Sequence, residues 1–118
     1  MHYNKWYCSE LKFEKIKMLK NDYTFSVAPM MGVTTPSARF MYRLISKKVI
    51  LFTEMIASQA IYRGDYDKFL KKDSIEEPVI LQVGGSDNEL LKFSTNLANK
   101  YNYQGINLNV GCPSKKVS

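Results

Sequence analysis

Short, dense apolar runs alternate along the chain with longer stretches in which apolar residues recur at helical spacing. Residues 25–30, Phe-Ser-Val-Ala-Pro-Met, read as a short buried strand ended by proline. Met31-Gly32-Val33-Thr34 then makes a loop, and Thr35-Pro36 supplies an N-cap with proline at the first helical position. Phe40, Met41, Leu44 and Ile45 follow at helical spacing and are expected to face a core. Arg39, Arg43 and Lys47 form a basic stripe on the same helix, read as a solvated face. Val49-Ile50-Leu51-Phe52 is a continuous apolar run, the pattern of a strand buried on both faces, and it ends on Thr53-Glu54-Met55. Residues 58–72 are helical in tendency, with Ile61, Tyr62, Phe69 and Leu70 apolar and Gly64-Asp65 as an interruption. A third strand over residues 78–83 stops at Gly84-Gly85. Ser86 and Glu89 have the spacing of a capping box with serine at the N-cap, and Leu90, Phe93, Leu97 and Tyr101 line one face of the helix they open. Asn102-Tyr103-Gln104-Gly105 breaks that helix. In the fourth strand Ile106, Leu108 and Val110 alternate against Asn107 and Asn109, which predicts a buried strand.

The order is β-α-β-α-β-α-β, with strands starting near residues 25, 49, 78 and 105. These intervals suit right-handed parallel crossovers. An open doubly wound sheet and half of an eight-stranded barrel both satisfy that order. No GxGxxG follows the first strand and no GxxxxGK[ST] occurs, so the familiar modes of nucleotide binding lack support. Each strand instead ends in a polar or conformationally special group: Pro29-Met30, Glu54, Gln82, and Asn109 with Cys112. Active sites of parallel α/β folds lie at the strands' carboxyl ends, and in a barrel all four ends converge on one axis. That convergence favours the barrel.

A chain of 118 residues, 45% hydrophobic and 24% charged, is long enough for one small core and ordinary for a globular protein. A formal charge of +6 fits a polyanionic partner. The two cysteines, Cys8 and Cys112, stand in unrelated contexts without a CxxC. This argues against a disulfide framework or a zinc site and fits a reducing compartment, so no metal is expected and the cytoplasm, or an organelle, is the expected location. No apolar run is long enough to span a bilayer, and no membrane partner is expected. Residues 1–24 are basic and aromatic, with Leu11, Lys15, Met18 and Leu19 at the spacing of a short amphipathic helix. They read as an amino-terminal extension packed on the domain.

The most demanding stretch is Asn-x-Asn-x-Gly-Cys-Pro-Ser at the end of the fourth strand. Pro113 restricts Cys112 to extended geometry, and Gly111 lets the backbone approach a flat ligand. Asn109 lies three residues before the sulfur and can both donate and accept. An inert buried cysteine in an ordinary turn is the plainer alternative; the combination of amide, glycine, thiol and proline favours a site.

These residues resemble the tRNA-dihydrouridine synthases. Ser26-Val27-Ala28-Pro29-Met30 is similar to that family's opening strand. Phe52-Thr53-Glu54-Met55 and the run from Pro78 through Gly84-Gly85-Ser86-Asp87 are similar to its second and third strands. The stretch from Ile106 to Ser114 is similar to its most diagnostic segment. The resemblance covers residues 25–118 and is strongest to the bacterial A-type branch. Residues 32–37 depart from the family pattern, which often carries Asp soon after Ala-Pro-Met.

The resemblance implies a TIM (β/α)8 barrel that binds FMN, of which residues 25–118 are the amino-terminal half with four strands. It implies use of NADPH to reduce a uracil C5=C6 bond in tRNA. Carried over by position, Pro29, Met30 and Met31 hold the flavin ring through backbone contacts, and Gln82 hydrogen-bonds it. Asn109 lies between flavin and substrate, and Cys112 is the proton donor. The family's lysine, histidine and arginine of later strands are not in this sequence, so residues 1–118 alone are expected to be inactive. Two other readings remain: a flavin barrel acting on a free pyrimidine, as dihydroorotate dehydrogenase does, or a non-catalytic interaction module.

Overall fold

A computed structural model describes residues 25–112. The expectations for residues 1–24, for Pro113 and for Ser114 lie outside the described residues. The sheet is built around β3 (Val79–Gly84), the most deeply buried strand. Along one edge it pairs in parallel with β4 (Gly105–Asn109), in a five-residue register from Ile80↔Gly105 to Gly84↔Asn109. Along the other it pairs in parallel with β1 (Leu51–Phe52) and then β2 (Ile56–Ala57).

The register steps from Phe52↔Ile80 to Ile56↔Val83, four residues on one side against three on the other. Thr53-Glu54-Met55 therefore holds one extra residue, a bulge between β1 and β2. The bulge deprives the Gln82 N–H of a ladder partner, and the Thr53 hydroxyl takes that place at 3.0 Å. Thr53 keeps its own N–H on the Ile80 carbonyl at 3.0 Å. On the far side of β1, Val27 N–H donates to Ile50 O and Ile50 N–H to Phe25 O, both at 2.9 Å. The expected first strand is thus a single parallel bridge, Ser26↔Ile50. Only Val27 from it packs against the core; Phe25 is exposed, because its outer edge has no partner among the described residues.

All pairings are parallel and their spatial order follows the chain, which makes this an α/β fold. The crossovers are α1 (Pro36–Ile45), then α2 (Ser58–Arg63), α3 (Tyr66–Leu70) and a 3₁₀ turn (Ser74–Glu76), then α4 (Asn88–Lys100). Thr35 caps α1 and Gly64 closes α2, as expected. The cap of α4 is Asp87 rather than Ser86: its carboxylate accepts from Glu89 N–H and Leu90 N–H. An aspartate one residue later outcompetes the serine because it satisfies two orphan donors at once and its charge suits the helix N-terminus. Asn102, at φ 56°, turns the chain out of α4.

Strand alternation divides the residues of β3. Val79, Leu81 and Val83 join Leu51 in the core against Ile61 of α2, Leu70 of α3, and Leu97 and Ala98 of α4. Ile80, Gln82 and Gly84 face the other way. The fourth strand is less buried than its pattern predicts: Ile106 and Leu108 remain exposed, since no strand among the described residues pairs with its outer edge.

The largest departure concerns α1. Phe40, Met41, Leu44 and Ile45 are exposed, and the buried residues are Arg39 (3%) and Arg43 (5%); Lys47 alone of the basic stripe is solvated. Arg39 Nε donates to Glu76 Oε2 at 2.7 Å and its Nη1 to Thr34 O at 2.7 Å. Arg43 Nε and Nη2 reach Glu76 O, Nη2 also reaches Pro78 O, and Nη1 reaches Ser46 O. Glu76 completes a capping box, its Oε1 accepting from Asp73 N–H while Asp73 Oδ1 accepts from Ile75 N–H. The Arg43 guanidinium, with five fixed donors, thereby satisfies carbonyls that lead into β3, including that of Pro78, which follows a cis peptide, while Arg39 holds the Glu76 carboxylate.

Two predictions follow from this packing. Glu76→Gln leaves the Arg39 guanidinium buried without its counter-charge and lowers stability by about 3–5 kcal/mol in urea unfolding, whereas replacing both residues with Met costs less than the sum of the single changes. Tyr103 is the second. Its hydroxyl donates to Leu70 O at 3.1 Å, and burial pushes the phenol up to about 12; Arg39 lowers it and Glu76 adds to the rise. The folded state then holds this proton more tightly than an unfolded tyrosine near 10. Its contribution is intact below pH 10 and is lost as pH rises from 10 toward 12. Tyr103→Phe flattens the fall in stability over that window, at about 1 kcal/mol lower stability near neutrality; parallel curves for the two proteins would refute the assignment.

Candidate functional site

The register of β3 and β4 sets Gln82 beside Asn107 and Gly84 beside Asn109. Alternation puts all three amide side chains on the face away from the core, where they join one another. Gln82 Nε2 donates to Asn107 Oδ1 at 2.7 Å, and Asn109 Nδ2 donates to Gln82 Oε1 at 3.4 Å. Asn109 Oδ1 accepts from Gly111 N–H at 3.0 Å and from Cys112 N–H at 3.1 Å, an Asx turn that carries the chain past the strand end. The direction of the cysteine loop is thus set by Asn109, whose own orientation is set by Gln82. Gln82 is 6% exposed, with one amide hydrogen and one lone pair left over for another partner. Asn109 keeps one amide hydrogen.

The loop after the first bridge is fastened in a comparable way. Met30 O accepts from Val33 N–H and Thr34 N–H, and Met30 N–H and O both bond the Thr34 hydroxyl at 3.1 Å. Thr34 is 1% exposed. Gly32, at φ +72°, occupies the left-handed region that a side chain would oppose. Its N–H donates to Glu54 Oε1, the carboxylate carried on the bulge. Among the described residues, the N–H of Met31 and the carbonyl of Pro29 make no hydrogen bond.

A cavity of about 800 Å³ opens between these elements, lined by Met31, Glu54, Phe69 and Cys112 among others, and its walls are mainly apolar. It gathers Met31 and Cys112 from the sequence-predicted set. Gln82 and Asn109 do not line it but bond to residues that do, Gln82 through its N–H to the Thr53 hydroxyl and Asn109 through the Cys112 N–H, and Pro29 and Met30 lie outside its lining. Cys112 is half-buried and carries a free thiol. Asn107, Thr34 and Thr53 were not among the sequence candidates. Asn107 was accessible in principle, since period two puts it on the same face as Asn109; Thr53 was not, because its role exists only once the bulge is formed. Among the described residues no three His, Cys, Asp or Glu side chains gather as a metal-binding group, and no helix is long and apolar enough to cross a membrane.

A tRNA-dihydrouridine(20/20a) synthase of Pseudomonas syringae pv. tomato is 45% identical over 93 residues, 79% of this chain and 28% of that protein. Proteins of the same name from Xylella fastidiosa (strain Temecula1) and Synechocystis are 40% identical over 99 residues and 45% identical over 92. These matches cover 84% and 78% of this chain, and 30% and 28% of the two relatives. The chain therefore spans less than a third of the length of the relatives it matches. The family model described as Dihydrouridine synthase (Dus) matches residues 26–118, a span that takes in every strand among the described residues, and the chain belongs to that family.

Proposed function

We propose that this chain supplies part of an enzyme that reduces the C5=C6 bond of uracil in tRNA, at the positions denoted 20 and 20a in its relatives' names. The observation that carries the reading is the amide chain from Gln82 through Asn109 to the Cys112 loop. It couples the ends of two neighbouring parallel strands and leaves a thiol at the mouth of an apolar cavity. A sheet whose order follows the chain, with α2, α3 and α4 packed on one face, suits the first part of a (β/α)8 barrel; a doubly wound sheet reverses order and is covered on both faces.

The groups present fit a flavin. The unbonded Met31 N–H and Pro29 carbonyl offer a donor and an acceptor side by side at a strand end, and the spare hydrogen and lone pair of Gln82 offer another such pair. Of these residues Met31 alone lines the apolar cavity, whose size suits a cofactor. Pro29, Met30, Met31 and Gln82 would hold FMN, which when bound and reduced by NADPH supplies hydride to C6 of the base. The Cys112 thiol delivers its proton to C5 as the pair of electrons from the double bond is taken up there. Asn109 has its oxygen committed to the cysteine loop, so only its remaining amide hydrogen is available to an oxygen of the base. A stacked base must turn out of the RNA to meet this thiol, and the chain's charge of +6 suits the phosphate backbone.

In the whole protein, Cys112→Ala should retain FMN and its reduction by NADPH. Dihydrouridine formation in tRNA should fall by about 10²–10⁴, the range of a general acid. Formation at the parent rate would make the thiol merely structural. Gln82→Leu removes the partner of both Asn107 and Asn109, so FMN should be lost on dialysis and the remaining turnover should drop as the cysteine loop loosens. Equal flavin occupancy in parent and variant after dialysis would assign Gln82 to the amide chain alone.

A further inference from the structure

Glu54 is the one strand-end group left without a part in the reaction outlined above. Its carboxylate is the only acidic side chain among the described residues that reaches the 30–34 loop, and it does so because the bulge inserts one residue between β1 and β2. The loop is held at two points. The Thr34 hydroxyl, buried, bonds both backbone groups of Met30. Glu54 Oε1 takes the N–H of Gly32. Met31 lies between the two pins with its N–H unbonded and its side chain on the cavity shared by Glu54 and Cys112. The bulge is itself tied down, since the Thr53 hydroxyl accepts from Gln82 N–H and donates to Glu54 O at 2.8 Å. One threonine thus connects the strand that carries Gln82 to the carboxylate that holds the loop of Met31.

We infer that Glu54 is a positioning residue: by accepting from Gly32 N–H it holds the Met31 peptide at the edge of the cavity, in the orientation that a flavin ring requires. The inference rests on the flavin reading above. Glutamate suits the task because its side chain reaches from the bulge to the Gly32 N–H, and Gly32 adopts a left-handed backbone conformation that the bond must hold in place. The role needs an acceptor with the reach of glutamate, and it does not need the charge to face the ligand. That separates it from a general electrostatic effect on the site.

The test compares Glu54→Gln, Glu54→Asp and Glu54→Ala in the whole protein. Amide hydrogen exchange at Gly32 is measured in the flavin-free form, and the dissociation constant and visible spectrum of FMN by titration. Glu54→Gln keeps an acceptor of the same reach and should match the parent in both measurements. Glu54→Asp keeps the charge but is too short, and with Glu54→Ala it should speed exchange at Gly32 and weaken FMN by about tenfold or more. Exchange at Gly32 unchanged in Glu54→Ala would show that the pin does not hold the loop. Faster exchange with unaltered FMN affinity would show that the held loop does not serve the flavin. A parent-like Glu54→Asp beside an impaired Glu54→Gln would make charge, not reach, the determinant. Each of these three results overturns the inference while the flavin reading stands. A parent protein that takes up no FMN overturns the flavin reading and the inference with it.

Discussion

A strand buried at the centre of a parallel sheet must satisfy its peptide groups along both edges, and β3 is the strand on which that requirement falls. Its edge toward β4 is regular over five residues, but its edge toward β1 and β2 contains a bulge. The Thr53 hydroxyl closes the gap by accepting the N–H of Gln82. An unsatisfied buried N–H costs about 1–3 kcal/mol, so the bulge is tolerable only because a side chain replaces the missing carbonyl. The bulge also carries Glu54, whose carboxylate bonds the 30–34 loop, while the regular β3–β4 register sets Gln82 opposite Asn107.

The same requirement explains the burial of charge beneath α1. The chain enters β3 through a 3₁₀ turn whose carbonyls would otherwise be buried without donors. Arg43 reaches the carbonyls of Glu76 and Pro78, and Arg39 pairs with the Glu76 carboxylate. A buried ion pair is weak as a source of stability, because desolvation offsets most of its attraction. What it provides here is placement: two rigid planar forks fix the height of α1 against the entry to β3. Phe40, Met41, Leu44 and Ile45 of α1 are left on the opposite side, where Ile45 is 76% exposed.

The cavity joins these two regions. Arg39 lies on its wall together with Glu54 and Cys112, so the helix position set by Glu76 and the loop position set by Glu54 both bear on one space. Its chemistry comes from strand ends and its shape from the segments that precede and follow them. This division, rigid strands aiming side chains and loops enclosing them, is common to parallel α/β enzymes.

Local pattern was enough to place the two longest strands and the helices, though not β2, the 3₁₀ turn or the reduction of the first strand to a bridge. The strands over 79–84 and 105–109, the break at Gly64-Asp65 and the cap at Thr35 each depend on residues adjacent in sequence. The shared face of the strand-end amides was legible for the same reason, since a strand's period of two puts Asn107 and Asn109 on one face without reference to any neighbour. Hydropathy misjudged α1 because periodicity identifies two faces of a helix but not which of them meets the protein; that choice was made by Glu76, 37 positions after Arg39. Asp87 displaced Ser86 as a cap because both fit the local code and only the start of the helix distinguished them. The bulge, the Thr53 bond to Gln82 and the hold of Glu54 on Gly32 were beyond sequence reading altogether. Each is a relation between strands or loops remote in sequence, and it exists only when the register of one strand against the next has been set by packing.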